Sequence, residues 1–166
     1  MKVPRTFQEN IVGAFGDEGK AWLERLDTII KTYVERWQLQ VEGPVDNLSY
    51  NYVLKANDAD ERPVILKLGL PGYDFTNEVN TVQAYGGRGC VKLLKADVAG
   101  GALLLERLTP GTMLLEIEDE ALVLQHFINV WQATRCPVPA GLNCPTIMDW
   151  AKGIERYIES HPNDGP

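Results

Sequence analysis

Val64-Ile65-Leu66-Lys67-Leu68 is the stretch on which the reading of this chain turns. Four apolar residues enclose one lysine, with Pro63 in front and Gly69-Leu70-Pro71-Gly72 behind. Burying an ammonium in such a strand is costly unless an opposite charge or a bound anion meets it. Just upstream, Tyr50, Tyr52 and Leu54 alternate with Asn51, Val53 and Lys55, the period-two pattern of a half-buried strand. Asn57-Asp58-Ala59-Asp60 is a polar hairpin loop between the two runs. Leu39 and Val41 alternate with Gln38, Gln40 and Glu42, and Gly43-Pro44 and Asp46-Asn47 then supply turn chemistry. Three strands joined this tightly, over residues 39–41, 50–56 and Pro63–Leu68, are expected to form an antiparallel meander.

Beyond Gly72 the period changes. Asp74 or Thr76 is the expected cap of a helix running through Glu78, Val79, Val82 and Tyr85 to Gly86-Gly87. Residues 90–94 and 102–108 read as two further strands separated by Ala99-Gly100-Gly101. Helical patterns follow over residues 116–134 and from about 146 to 160, with Pro137, Pro139 and Pro145 in the loop between them. Ahead of the sheet, Trp22, Leu26, Ile29, Ile30, Tyr33 and Trp37 recur at helical spacing, the strongest helix signal in the chain over residues 19–38. Residues 1–16 are mixed, with Phe7, Ile11 and Val12 able to dock a short helix or an extended arm.

Composition narrows the function classes. The 166 residues are 45% hydrophobic and 23% charged, ordinary for a globular protein of one domain or of one lobe and part of another. A net charge of −7, with no long Lys/Arg run, argues against a nucleic-acid partner. Cys90, Cys136 and Cys144 are odd in number and lack metal-type spacing, which favours reduced thiols. No apolar run approaches the roughly 18 residues of a membrane span, and Met1-Lys2-Val3-Pro4 leads into no signal-peptide core. The expectation is a soluble, cytoplasmic protein with no membrane partner.

The order β-β-β-α-β-β followed by helices is that of a protein-kinase-like fold. In that arrangement Lys67 pairs with nucleotide phosphates and with Glu78 on the helix. The alternative is a lysine at a sheet edge whose head reaches water, with Glu78 a solvated helix acid. The turn from Gly43 to Tyr50 has one glycine and lacks the G-x-G-x-x-G pattern. Ser49 and the amides of residues 47–49 could still reach a phosphate, or the segment is a plain hairpin turn. Glu106 and Leu108 would offer a carbonyl and an amide to an adenine edge, or mark an ordinary strand exit. His126 and His161 pair with nothing in the pattern, Asp149 reads as a helix cap, and no metal-ligand cluster is present.

The chain resembles the aminoglycoside and hydroxyurea phosphotransferases, the streptomycin 6-kinase group. The resemblance rests on Val64 through Pro71, on Asn77-Glu78-Val79-Asn80-Thr81-Val82-Gln83-Ala84-Tyr85-Gly86-Gly87, and on Gly89 through Leu94. It continues over Gly101-Ala102-Leu103-Leu104-Leu105-Glu106-Arg107-Leu108-Thr109-Pro110-Gly111. It implies ATP- and Mg²⁺-dependent phosphorylation of a hydroxyl on a small molecule such as an aminoglycoside. Lys67 would hold the phosphates, Glu78 would orient Lys67, and residues 106–108 would form the adenine hinge. The implied fold is α+β: an N-lobe of a five-stranded antiparallel sheet plus one helix. A helical extension over 1–38 precedes the lobe at 39–108, and a hinge and the first C-lobe helices follow over 109–166.

One departure is large. The H-G-D-x-x-x-x-N catalytic loop and the later metal-binding aspartate of the resembled family are not in these residues; His161-Pro162-Asn163-Asp164 lacks the required glycine and spacing. Neither a catalytic base nor a metal ligand is therefore expected within the chain. The reading is the first part of a small-molecule kinase, cut before its catalytic loop. The alternative is a non-catalytic binding module derived from one, a possible homodimer through the exposed faces of its last helices.

Overall fold

A computed structural model describes residues 3–160; the expectations attached to His161 and to residues 162–164 lie outside the described residues. The chain runs α1 (Arg5–Trp37), β1 (Gln40–Pro44), β2 (Tyr52–Asn57), β3 (Pro63–Leu68), α2 (Tyr73–Tyr85), β4 (Leu93–Asp97) and β5 (Ala102–Glu106). A 3-10 turn at Leu114–Glu116, α3 (Glu120–Thr134) and α4 (Ile147–Ser160) follow. The five strands form one antiparallel sheet in the order β1-β2-β3-β5-β4. The architecture is α+β, an N-lobe of the protein-kinase type.

Strand periodicity divides the sheet into two faces. Leu54 and Ala56 of β2, Val64, Leu66 and Leu68 of β3, and Ala102 and Leu104 of β5 are buried on the face covered by α1. The stripe Trp22, Leu26, Ile30, Tyr33 and Trp37 lies over them, because every third or fourth residue of a helix returns to one side. Each large side chain wholly buried there contributes roughly 1.5–3 kcal/mol. The other face carries Ile65 of β3 and Leu103 and Leu105 of β5, which pack with Phe75, Val79 and Val82 of α2.

α1 ends where its geometry requires. Gln38 adopts φ 56°, ψ 52°, the Gln38 amide donates to the Glu35 carbonyl at 3.3 Å, and the Leu39 amide to that of Val34 at 2.9 Å. These two reversed bonds, with Leu39 buried just beyond, close the helix and launch β1.

The start of α1 departs from the sequence pattern. Helix begins at Arg5 and the chain turns sharply at Gly16 (φ 54°, ψ −132°), a conformation open to glycine. In a straight helix Phe7 and Trp22 would lie about 22 Å apart. Their rings instead have centroids 6.3 Å apart, and a Cβ on Gly19 would sit 2.6 Å from the carbonyl oxygen of Ile11. Residues 5–15 therefore fold back as an arm, with Phe7 and Ile11 fully buried. Phe7 and Ile11 thus dock as expected of residues 1–16, as a short helix, while Val12 is exposed.

Other boundaries moved for local reasons. Neither Asp74 nor Thr76 caps α2: Gly72 precedes the helix, and the Thr76 hydroxyl donates back to the Gly72 carbonyl. Gly86, Gly87 and Gly89 all have positive φ, so the chain is still turning where a strand was expected, and β4 starts at Leu93. α3 starts at Glu120 because Asp119 caps it, its carboxylate accepting from the amides of Ala121 and Leu122. Asp149 does act as a cap: its carboxylate accepts from the Thr146 amide at 2.8 Å while the Thr146 hydroxyl accepts from the Asp149 amide at 3.2 Å.

Candidate functional site

Lys67 is the one charged residue of β3, and register places it opposite Val53 of β2 and Leu103 of β5, on the α2 face of the sheet. Its side chain is 21% exposed, so it does not reach freely into water. The Nζ donates to Oε1 of Glu78, itself 29% exposed, near the middle of α2. Packing of Phe75, Val79 and Val82 against Leu103 and Leu105 fixes the rotation of α2, and that rotation turns Glu78 toward the strand. The counter-charge demanded by the strand lysine is thus supplied by the helix glutamate.

The turn between β1 and β2 stands at the end of the sheet next to this pair. The Val45 amide donates to the Val53 carbonyl at 3.0 Å, closing the turn's base. Leu48 packs into the α1-face core, while Ser49 is exposed. Among the described residues, the amides of Asn47, Leu48 and Ser49 donate to no protein acceptor. Three successive free N–H groups in a turn are suited to an anion. A cavity of about 560 Å³ is bounded by Tyr50 and Asn51 of this turn, Phe15 of the arm, Pro71 and Glu78.

Glu106 and Leu108 lie where β5 leaves the sheet. The Glu106 side chain belongs to the opposite face from Lys67, and its carboxylate accepts from the Lys92 amide at 2.7 Å. That leaves only the main chain of Glu106 for a ligand on the inner face. The Leu108 amide has no acceptor among the described residues, and its side chain is exposed. His126 is exposed on α3. Burial raises the pKa of the Cys90 thiol above its usual range, opposite to the lowering that activates a nucleophilic cysteine.

Structure brings Lys67 and Glu78 into contact and sets Ser49, Glu106 and Leu108 on the turn and strand exit that flank their sheet face. Sequence reasoning missed the inner-face neighbours Val53, opposite Lys67 in register, and Ile65, two residues before it on β3, both half-buried. Alternation along β2 and β3 carried that signal.

A sheet of this topology, with an inner-face lysine ion-paired to the helix between its third and fourth strands, defines the N-lobe of a protein-kinase-like protein. Residues 36–160 match the family model described as aminoglycoside/hydroxyurea antibiotic resistance kinase, and the chain belongs to that family. It is similar to the streptomycin 6-kinase of Streptomyces griseus, 34% identical over 145 residues that cover 86% of this chain and 47% of that protein. The streptomycin 6-kinase of Streptomyces glaucescens is 29% identical over 72% of this chain and 39% of its own length. The hydroxyurea phosphotransferase of Kitasatospora aureofaciens is 35% identical over 67% of this chain and 33% of its own length. The chain thus spans a third to a half of the curated relatives it matches.

Proposed function

We propose that this chain is the nucleotide-binding part of an ATP-dependent kinase that phosphorylates a hydroxyl of a small, aminoglycoside-type molecule in the cytoplasm. The Lys67–Glu78 ion pair carries the proposal. An ammonium held in place on a sheet face by a carboxylate is preorganised to meet phosphate oxygens without further ordering. Family membership and the names of the relatives support the reaction class.

Each residue then has a task. Lys67 binds the phosphates and Glu78 keeps its ammonium aimed. The amides of residues 47–49, with the Ser49 hydroxyl, cover the phosphates from above. Val53 and Ile65 flank the adenine ring, whose edge meets the Glu106 carbonyl and the Leu108 amide. Mg²⁺ accompanies the nucleotide and supplies charge neutralisation when bound; its protein ligands and the catalytic base belong to a segment outside these residues.

The test is a thermal shift. Mg-ATP raises the melting temperature of the wild type and leaves Lys67→Ala unmoved; equal shifts in both proteins would remove Lys67 from the site. A second reading, a non-catalytic module that pairs with another copy, is favoured by the apolar faces that α3 and α4 expose. It predicts a dimer whose stability is indifferent to Mg-ATP.

A further inference from the structure

Resting on that nucleotide reading, we infer that the folded-back arm, residues 5–15, is a brace that holds the β1–β2 turn in position over Lys67, with Asn10 and Phe7 as its positioning residues. The turn has one glycine, Gly43, and lacks the repeated glycines that let a phosphate-covering loop close around its ligand. A turn that cannot mould itself to the phosphates must be held in shape beforehand, and the arm makes the contacts that do this. The Asn10 side-chain amide donates to the Ser49 carbonyl at 3.5 Å, a long bond spanning 39 residues of sequence. That carbonyl belongs to the Ser49–Tyr50 peptide plane, so holding it restrains the backbone immediately after the three free N–H groups.

The second contact is apolar. Phe7 is fully buried and meets Tyr52, the first residue of β2, edge to face with centroids 5.6 Å apart. Leu48 of the turn joins the same core. The β2 stem and the middle of the turn are thus anchored on the α1 side, while the amides of residues 47–49 stay free of protein acceptors among the described residues. The bend at Gly16 makes the arrangement possible. Its φ of 54° with ψ of −132° disfavours other residues, although a Cβ there would touch nothing within 4 Å. Gly16→Ala therefore perturbs the bend without creating a clash.

The experiment compares wild type, Asn10→Ala and Gly16→Ala, made in the full product of the gene. Backbone ¹⁵N relaxation reads the turn, and titrations with Mg-ATP and with adenosine read its use. Wild type should show order parameters near 0.85 for Asn47 to Ser49, falling toward about 0.6 in both variants, with β2 and β3 unchanged. Mg-ATP affinity should fall on the order of fivefold in Asn10→Ala, as for one lost hydrogen bond. Adenosine affinity should stay level, because the turn touches phosphate alone; a merely structural defect would weaken both ligands. Unchanged order parameters in both variants overturn the brace. A loosened turn with unchanged Mg-ATP affinity overturns the positioning role. A wild type that binds no Mg-ATP overturns the nucleotide reading and the phosphate role with it, while the order parameters still report separately on the brace.

Discussion

The Nζ of Lys67 and Oε1 of Glu78 join the centre of the sheet to α2 across 11 residues of sequence. Both side chains are largely withdrawn from water, so the pair lies between two energetic regimes. Exposed pairs contribute about 0–1 kcal/mol, whereas a charged hydrogen bond out of water contributes about 1.5–3 kcal/mol. Lys67→Met and Glu78→Gln should each destabilise by about 1–2 kcal/mol, and the double variant by less than the sum. Urea unfolding of the four proteins measures the coupling. Additive losses would show that the pair is only a neighbourly contact.

Asp97 ties α1 to the turn between β4 and β5. It accepts from the Gly100 amide at 2.9 Å, the Arg36 guanidinium at 2.5 Å and the Tyr33 hydroxyl at 3.0 Å. The Gly100 amide first, then Arg36 and Tyr33, hold its pKa below the usual carboxylate range. A depressed folded pKa means that the unfolded chain takes up the proton first, so the stabilisation is present above about pH 4 and fades as acid titrates the folded carboxylate. Asp97→Asn should therefore cost about 2 kcal/mol at pH 7 and progressively less below about pH 4. A difference in unfolding free energy that does not shrink in acid would contradict the assignment.

Tyr33 tests the same cluster from the alkaline side. Burial, and then its bond to Asp97, push its pKa to about 12. The folded value is raised, so its contribution is complete below about pH 10 and is lost as pH climbs through the folded pKa. In a spectrophotometric titration Tyr33→Phe should remove one late-ionising phenol near pH 12. Loss of a phenol that titrates near pH 10 would refute it.

Two glycines should respond in opposite senses to alanine. Gly101 has φ +69°, and a Cβ there would run into the Gly69 carbonyl oxygen, whose own amide donates to the Gly101 carbonyl at 2.9 Å. Gly101→Ala should cost about 2–3 kcal/mol through strain and that clash. Gly13 lies within helix, has no positive φ and would meet nothing within 4 Å. Gly13→Ala should stabilise by about 0.5–1 kcal/mol. Melting curves of the two variants suffice.

The strands, the α2 helix and the Lys67–Glu78 meeting were legible because period-two and period-3.6 patterns survive in β2, β3 and α1, and because a lysine in an apolar strand demands a partner. The arm was legible only as a segment able to dock through Phe7 and Ile11, not as a helix folded back on α1. Only Phe7 and Ile11 of residues 5–15 are buried, so hydrophobic periodicity is nearly silent there, and the fold-back depends on one glycine torsion at Gly16. The start of β4 was misplaced because Cys90 and Val91 pack against α2 from a turning segment, which gives apolar residues without a strand. Glu106 showed its identity but not its side: register alone reveals that its carboxylate faces away from Lys67.

The last two helices carry a prediction about association. No described residue of α3 is buried, and Leu124, Phe127 and Trp131 are each more than half exposed on it. Spacings of three and four bring those three side chains to one side. On α4, Ile147, Trp150, Ile154 and Ile158 repeat the pattern, with Ile147 88% exposed. Large apolar side chains left open to water along one side of each of two successive helices are the kind of surface that marks an association site. The chain of residues 1–166 on its own should therefore self-associate at micromolar concentration, and light scattering after size exclusion should give a mass above the 18.5 kDa of one copy. Phe127→Glu with Trp131→Glu should return it to a monomer at little cost in melting temperature, since neither side chain supports the sheet core. A wild-type mass of one copy at high concentration would mean that these faces need no cover, and would remove the observation that favours the paired, non-catalytic reading.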